Sequence, residues 1–401
     1  MLLGYNAVMT RRELIAQAAR AAAAAGAALT TVPAWAQQAP ASVPGDQWGK
    51  TRLTRLSARP PDYETPVALL NDFITPIEHF YVRSHLPVPA SIDAASWTLA
   101  VSGLVSTPQS LSMADLRALP QHTVTVTLEC AGNGRAFFDP PVAGLQWKKG
   151  AVGTARWTGV RLRDVLSRVG ASAQAAFVRM EGADRPLGTM PAFVRQVPMA
   201  KAMHEDTLIA LSMNGQPIPA VHGAPLRAII PGWEGAYSLK WLNRLEVAEA
   251  TSDSFWVATA YKYPTRRVSP GEAVDAKDMA PLTGLVVKSL ITAPLDGATL
   301  PSSPFTVSGF AWAGEDDIAH VDVSLDSGAT WARATLTGEQ SRYTWRRFEF
   351  AAPGLPVGSH LILSRATDTR GVTQPAVSHW NPSGYLWNQY DSVRVQVGAG
   401  R

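Results

Sequence analysis

The amino-acid sequence predicts an α+β protein, a mixed α/β domain followed by an all-β sandwich of immunoglobulin type. Three observations carry this. Its 401 residues exceed what one small core needs and correspond to two or three domains. Up to about residue 280, helical and β-patterned stretches alternate without a regular βαβ rhythm, which argues against a doubly wound parallel sheet. From Thr283 onward the pattern turns to successive β runs parted by Gly, Pro and Asp.

The first 36 residues read as an export signal that is not part of the fold. Met9-Thr10-Arg11-Arg12-Glu13-Leu14-Ile15 supplies a paired arginine, an Ala-rich apolar run extends to Leu29, and Val32-Pro33-Ala34-Trp35-Ala36 ends on a small-x-small pattern. This is the form of a bacterial twin-arginine signal cleaved near Ala36-Gln37, so the mature chain is expected in the periplasm. An amphipathic helix fits poorly, because Ala19 to Leu29 holds only Arg20 as a charge and has no polar face. The twin-arginine route handles proteins folded before export, often around a cofactor. No later stretch reaches the ~18–20 uninterrupted apolar residues of a membrane span.

A polar, Pro-rich extended lead (37–68) precedes the mixed domain (69–282). Within that domain Ser112 caps a helix running to Leu119, with Asp115 in its first turn. Thr123 to Leu128 alternates Thr and Val as a strand does, and delivers Glu129-Cys130 at its end. Leu162 to Val169 reads as a short amphipathic helix closed by Gly170. Leu226 to Pro231 and Leu239 to Val247 read as strand or strand-helix pieces. After a hinge near Asp278 to Thr283 comes the sandwich (283–401). There Val321 to Leu325 alternates strictly, Asp326-Ser327-Gly328 turns the chain, and Trp331 to Leu336 returns. Further strands are expected at Phe305 to Trp312, Thr344 to Phe350, His360 to Ala366 and Ser392 to Val397.

Composition excludes several classes. With 46% hydrophobic and 17% charged residues the chain is not disordered. A net charge of +4, partly contributed by the signal, does not mark a nucleic-acid binder. One cysteine rules out a disulfide scaffold, so the sandwich closes by packing alone.

That cysteine lies in Leu128-Glu129-Cys130-Ala131-Gly132-Asn133-Gly134-Arg135. Cys130 is either a buried small hydrophobe or a thiolate kept for chemistry or for a soft metal. A strand feeding Cys into a Gly-Asn-Gly turn, with Arg five residues on, favours the second reading. Backbone N–H groups and a guanidinium are expected to lower the thiol pKa there. A cysteine hydrolase would need a positioned histidine, and His122 is near only in sequence. The eight histidines show no HExxH spacing, and there is no GxSxG elbow, Walker loop or dinucleotide fingerprint.

Anion-handling residues recur elsewhere. Arg83 and His85 stand two apart in a Pro-fixed extended segment and so point to one side. His222, Arg227 and Lys240 are spread over Gly-rich turns. Each could be a solvated surface residue. Together they suit a phosphate-bearing cofactor and an oxyanion substrate.

The segments VRSHLPVP, TLECAGNGR, GLQWKKGAVGTARWTGVRL, MNGQPIPAVHGAPLRAIIPGWEGAYSLKWL, AYKYP, GFAWAG and VDVSLDSGATW, in this order, resemble the sulfite oxidase family of molybdenum enzymes over nearly all of the mature chain. The resemblance implies a mixed α/β molybdopterin-binding (sulfite oxidase) fold followed by an immunoglobulin-like dimerisation domain, and hence a homodimer. It implies a molybdenum-molybdopterin cofactor (Moco) with Cys130 as protein ligand to the metal, a soft sulfur donor. Arg83, Arg135 and Tyr261 would line the substrate pocket, the arginines holding the anion and the phenol donating a hydrogen bond. His85, Asp184, His222, Arg227 and Lys240 would contact the pterin and its phosphate. The implied reaction is the two-electron oxidation of sulfite, or a related sulfur oxyanion, to sulfate.

Three positions depart from the vertebrate pattern. Gly134 stands for one Arg of CAGNRR, Ser383 for a substrate Arg, and Ala260 for an acid before the tyrosine, which implies a less cationic pocket. No haem is expected in this chain, since it has no CxxCH motif and few residues ahead of Leu69. A separate c-type cytochrome is then the expected one-electron acceptor. The competing reading within the family is the molybdenum subunit of a sulfane dehydrogenase in thiosulfate oxidation, with a dihaem cytochrome partner. A relative that reduces methionine sulfoxides lacks the sandwich. From a different class, the chain could be a non-catalytic binding protein that kept the fold, against which stand Cys130 and Tyr261.

Overall fold

The computed structural model describes residues 46–398, so the expected export signal lies outside the described residues. The lead is not simply extended. Thr54–Ala58 and Pro61–Glu64 pair as an antiparallel hairpin whose second strand is fully buried. Its Asp62 and Glu64 are buried, and Glu64 Oε1 accepts from the Gly150 N–H at 2.9 Å.

Two five-stranded sheets build the mixed domain. The first joins Gln121–Glu129, Val152–Arg161, Leu208–Met213 and Gln216–Pro217, with Arg227–Ile229 also pairing on Leu208–Met213. All its pairings are antiparallel. The second runs Gln109–Ser112, Thr98–Gly103, Leu242–Ala248, Phe177–Gly182, Val194–Pro198, with one parallel pairing between Leu242–Ala248 and Thr98–Gly103. The absence of a βαβ rhythm thus translates into largely antiparallel sheets. Leu226 to Pro231 shortens to the strand Arg227–Ile229, and in Leu239 to Val247 the chain turns at Trp241 (φ 52°) before pairing from Leu242.

The two helices expected from the sequence sit where their caps place them. Ser112 and Asp115 form a reciprocal capping box on Met113–Ala118. Leu162–Arg168 ends at Gly170, which takes the left-handed φ of 64°. Their apolar faces, through Leu116, Leu162, Val165 and Leu166, share a core with Leu99, Val101, Val178 and Leu245 of the second sheet. Full burial of each such side chain stabilises by roughly 1.5–3 kcal/mol. On the other side Val126, Leu128, Trp157, Leu208 and Ile229 pack with Phe80 and Tyr81. At its C-terminal end the cysteine strand is buried on both faces, Val126 and Leu128 in this cluster and Thr127 and Glu129 on the other side.

The C-terminal region is a two-sheet sandwich. One sheet joins Lys288–Ala293, Phe305–Trp312, Arg346–Ala352 and Thr335–Thr337; the other joins Thr299–Leu300, Asp391–Val397, Gly358–Asp368, Ile318–Ser324 and Ala332–Arg333. The return run Trp331 to Leu336 is not one strand. Ala332–Arg333 pairs with Asp322 and Val323, whereas Thr335–Thr337 pairs with Arg347 to Glu349 in the opposite sheet. Buried Ala334, its N–H donated to Val321 at 2.9 Å, marks the crossing between layers. The run expected from Thr344 begins pairing only at Arg346. Residues 343–345 instead dock on the cysteine strand, with Thr127 N–H on the Tyr343 carbonyl at 2.9 Å and Trp345 N–H on Thr127 Oγ1 at 2.8 Å. The strand Lys288–Ala293 lacked a sequence signal because its buried positions include Lys288, Ser289 and Thr292.

Candidate active site

Cys130 follows directly on the strand Gln121–Glu129 and donates its N–H to the Ala151 carbonyl at 2.9 Å. The next residues close a tight loop: Asn133 N–H reaches the Cys130 carbonyl at 2.8 Å and Arg135 N–H the Gly132 carbonyl at 2.9 Å. Gly134 makes this possible with φ 93°. Below the loop, the Glu129 carboxylate accepts from Asn133 Nδ2 at 2.8 Å, Lys288 Nζ at 2.6 Å and Trp312 Nε1 at 2.8 Å. Both charges of the Glu129–Lys288 pair are almost fully buried. A polar network thus ties the cysteine loop to the sandwich.

Two adjoining cavities meet at Cys130, and together they gather every site residue expected from the sequence. Both are lined by Arg83, His85, Cys130 and Tyr261. The first adds Asp184, His222, Arg227 and Lys240. The second, of about 180 Å³, adds Arg135, Trp147, Ser383 and Tyr385. Arg83 and His85 do face one side, as their spacing requires.

Electrostatics distinguish the two. In the first cavity, burial pushes Lys240 well below its ordinary pKa and Arg227 down to about 10. Burial, then the neighbouring cations, holds His85 and His222 well below the ordinary imidazole value. Among the described residues Lys240 Nζ donates to Ser84 Oγ at 2.6 Å and the Val221 carbonyl at 3.0 Å. Arg227 reaches two carbonyls, and buried His222 Nε2 has no partner among the described residues. Crowded donors, with Asp184 as the one acid lining the cavity among the described residues, make a site that an anion relieves. Burial raises Asp184 itself to about 6.

The expected lowering of the Cys130 thiol is reversed. Burial pushes it up to about 11, outweighing the guanidiniums of Arg83 and Arg135 and the Gly132 N–H. The loop does supply the stabilising groups, but the low-dielectric surroundings cost the thiolate more. A bound metal ion at sulfur would displace that proton outright. Among the described residues no group of three or more His, Cys, Asp or Glu could hold a metal ion. Cys130 would then be the protein's single donor, and the remaining ligands must come with a cofactor. A thiolate-bearing anionic pterin fits both requirements. His122 takes no part: it pairs with Asp206 at 3.1 Å, eight residues up the strand and so roughly 26 Å from Cys130.

In the second cavity Arg135 donates to the Leu145 carbonyl at 3.0 Å and to the Ser383 carbonyl at 3.4 Å, and its Nε has no partner among the described residues. Arg83 is held by Asp62 of the hairpin at 3.2 Å. The Tyr261 hydroxyl is hydrogen-bonded to His85 Nε2. Sequence reasoning missed Asp62, Ser84, Tyr385 and Phe193. Phe193 stacks on His85 at 3.9 Å between centroids, and Tyr385 stacks on Tyr261 at 5.5 Å. No short-range signal marks them, because each acts on a residue from another loop.

Comparison with known proteins agrees with this geometry. Residues 85–256 match the oxidoreductase molybdopterin binding domain and residues 280–398 the Mo-co oxidoreductase dimerisation domain. Mitochondrial sulfite oxidase of Homo sapiens is 40% identical over 359 residues, covering 85% of this chain and 65% of that protein. Sulfite oxidase of Gallus gallus is 38% identical over 347 residues, covering 82% of this chain and 75% of that protein. The crystal structure of the sulfane dehydrogenase SoxCD from Paracoccus pantotrophus superposes with a TM-score of 0.74 at 26% identity, covering 92% of this chain and 96% of that one.

Proposed function

The chain belongs to the sulfite oxidase family of molybdopterin oxidoreductases, and from that premise we propose that it oxidises sulfite to sulfate with molybdopterin-bound molybdenum held at Cys130. The carrying observation is the buried thiol opening on two cavities, one rich in donors for an anionic cofactor and one flanked by Arg83 and Arg135. His222, Arg227, Lys240 and Asp184 would hold the pterin and its phosphate, with Lys240 and Arg227 offering charge-assisted bonds. When bound, the molybdenum supplies the two-electron redox step.

The protein's own residues position the substrate. Arg83 and Arg135 bind an oxyanion in the cavity of about 180 Å³, which suits a small inorganic anion. His85, kept neutral by burial, accepts the Tyr261 O–H and so orients the phenol. Burial also keeps Tyr261 protonated. Trp147 and Tyr385 limit water in the cavity. Ser383 offers no charge there: its hydroxyl donates to the Lys262 carbonyl at 3.0 Å, so cationic binding rests on two arginines.

The electrons leave singly to a c-type cytochrome in the periplasm, the chain being exported by its twin-arginine signal, and the sandwich pairs two copies in a homodimer. The likeness to a sulfane dehydrogenase favours a second reading, oxidation of carrier-bound sulfane sulfur. The deciding experiment is molybdenum analysis on a purified sample that is also assayed for ferricyanide reduction with sulfite and with a protein persulfide. About one molybdenum per chain with sulfite-dependent reduction is expected. Full metal with persulfide-only turnover would replace the substrate, and metal-free protein from a molybdenum-replete host would leave a binding protein.

A further inference from the structure

Tyr261 is held in an uncommon backbone conformation. Its φ is 53°, a left-handed value that a bulky side chain adopts only when its surroundings compel it. The Leu282 N–H fixes its carbonyl at 2.8 Å. Its side chain is fixed by stacking. Tyr385 stacks on the ring at 5.5 Å with a 6° interplanar angle, and Arg195 places Cζ over it at 4.7 Å from the centroid. Arg195 also lies over Tyr237 at 4.1 Å, and Arg135 over Tyr385 at 5.2 Å. Arg135, Tyr385, Tyr261, Arg195 and Tyr237 are thus joined in one chain of ring and guanidinium contacts.

Arg195 is otherwise unexplained. It is 2% exposed, and among the described residues its hydrogen-bond acceptor is the Trp256 carbonyl and its Nε has no partner. It lines neither cavity at Cys130. It borders instead a third cavity, of about 470 Å³, which also has Tyr261 in its wall. Two residues earlier in the chain, Phe193 stacks on His85. One segment therefore braces both partners of the Tyr261–His85 hydrogen bond, Phe193 against the imidazole and Arg195 against the phenol ring.

We propose that Arg195 is a positioning residue for sulfite oxidation: from outside the substrate cavity it clamps the Tyr261 ring by cation–π contact, holding the phenol hydroxyl on His85. This rests on the function proposed above, and its test separates the two.

The test uses the molybdenum-loaded protein with Arg195→Met, which keeps bulk and removes charge, and Arg195→Lys, which keeps a cation over the rings. Arg195→Met should lower kcat about tenfold with molybdenum content and the KM for sulfite nearly unchanged, and Arg195→Lys should recover most of the loss. In a Tyr261→Phe background Arg195→Met should change kcat less than about twofold, since the hydroxyl it positions is gone. An equal effect in both backgrounds, or none in either, overturns the proposal. Should Arg195→Met fail to fold, Arg195→Gln, which also removes the charge, is carried through the same cycle with the same criterion. An independent readout is fluorine NMR of 3-fluorotyrosine placed at position 261. The native arginine should give one dominant ring orientation and Arg195→Met a second, exchanging one; identical spectra overturn the clamp. If the wild type turns over no sulfite while the spectra respond as expected, the substrate assignment fails and the clamp stands.

Discussion

The indole of Trp387 occupies the space above Gly134: a Cβ built on that glycine would stand 2.6 Å from the ring atom Cε3. With φ 93° at the same residue, position 134 excludes side chains on two counts. The departure from the vertebrate Cys-Ala-Gly-Asn-Arg-Arg pattern is therefore tied to Trp387. Gly134→Ala should destabilise the protein by about 2–4 kcal/mol in urea unfolding. Combined with Trp387→Ala it should cost less than the two single changes added, because one of the two conflicts is removed. Strict additivity would place the strain in the backbone alone.

Lys288→Met should cost about 3–5 kcal/mol, since it strands the buried Glu129 carboxylate beside Asn133 and Trp312. Adding Glu129→Gln should return part of that loss, as the uncompensated charge disappears. Denaturation midpoints of the single and double variants decide it. The single variant should also retain less molybdenum, because Glu129 anchors the Cys130 loop.

Asp184 gives a pH signature in the cofactor-free chain. Burial raises its pKa from 3.8 to about 6, so between those values the folded chain keeps a proton that the unfolded chain has released. Stability contributed by this group is then present below about pH 4 and is lost as pH rises to about 6. Asp184→Asn cannot titrate. Its stability relative to wild type should rise by on the order of 2–3 kcal/mol between pH 4 and pH 7 and then level off. A flat difference across that range would mean the carboxyl is solvated.

Cys130→Ser should abolish turnover, by about two orders of magnitude or more, and should leave the fold within about 1–2 kcal/mol of wild type. Molybdenum analysis, sulfite-dependent ferricyanide reduction and thermal unfolding on one preparation check all three. Near-native turnover would remove Cys130 from the metal.

Much of the fold was legible because its signals are local. Ser112 and Asp115 mark a helix start within four residues, Gly170 marks an end, and alternation marks the cysteine strand, all matched by the structure. The layer switch at Ala334 was not, since each half of Trp331 to Leu336 pairs with a different distant strand. Nor was the strand from Lys288, whose buried lysine is stable only beside Glu129, which is 159 residues away in sequence.

The same division runs through the site. Residue type and order alone marked out the family, the lone thiol and the eight residues that line the cavities with it, because a soft thiol and paired guanidiniums are chemical choices written one residue at a time. Tertiary structure decided the protonation of Cys130, the braces on Tyr261 and His85, and the exclusion at Gly134. Those follow from dielectric and from contacts between loops far apart in the chain, quantities that come into being only when the segments pack.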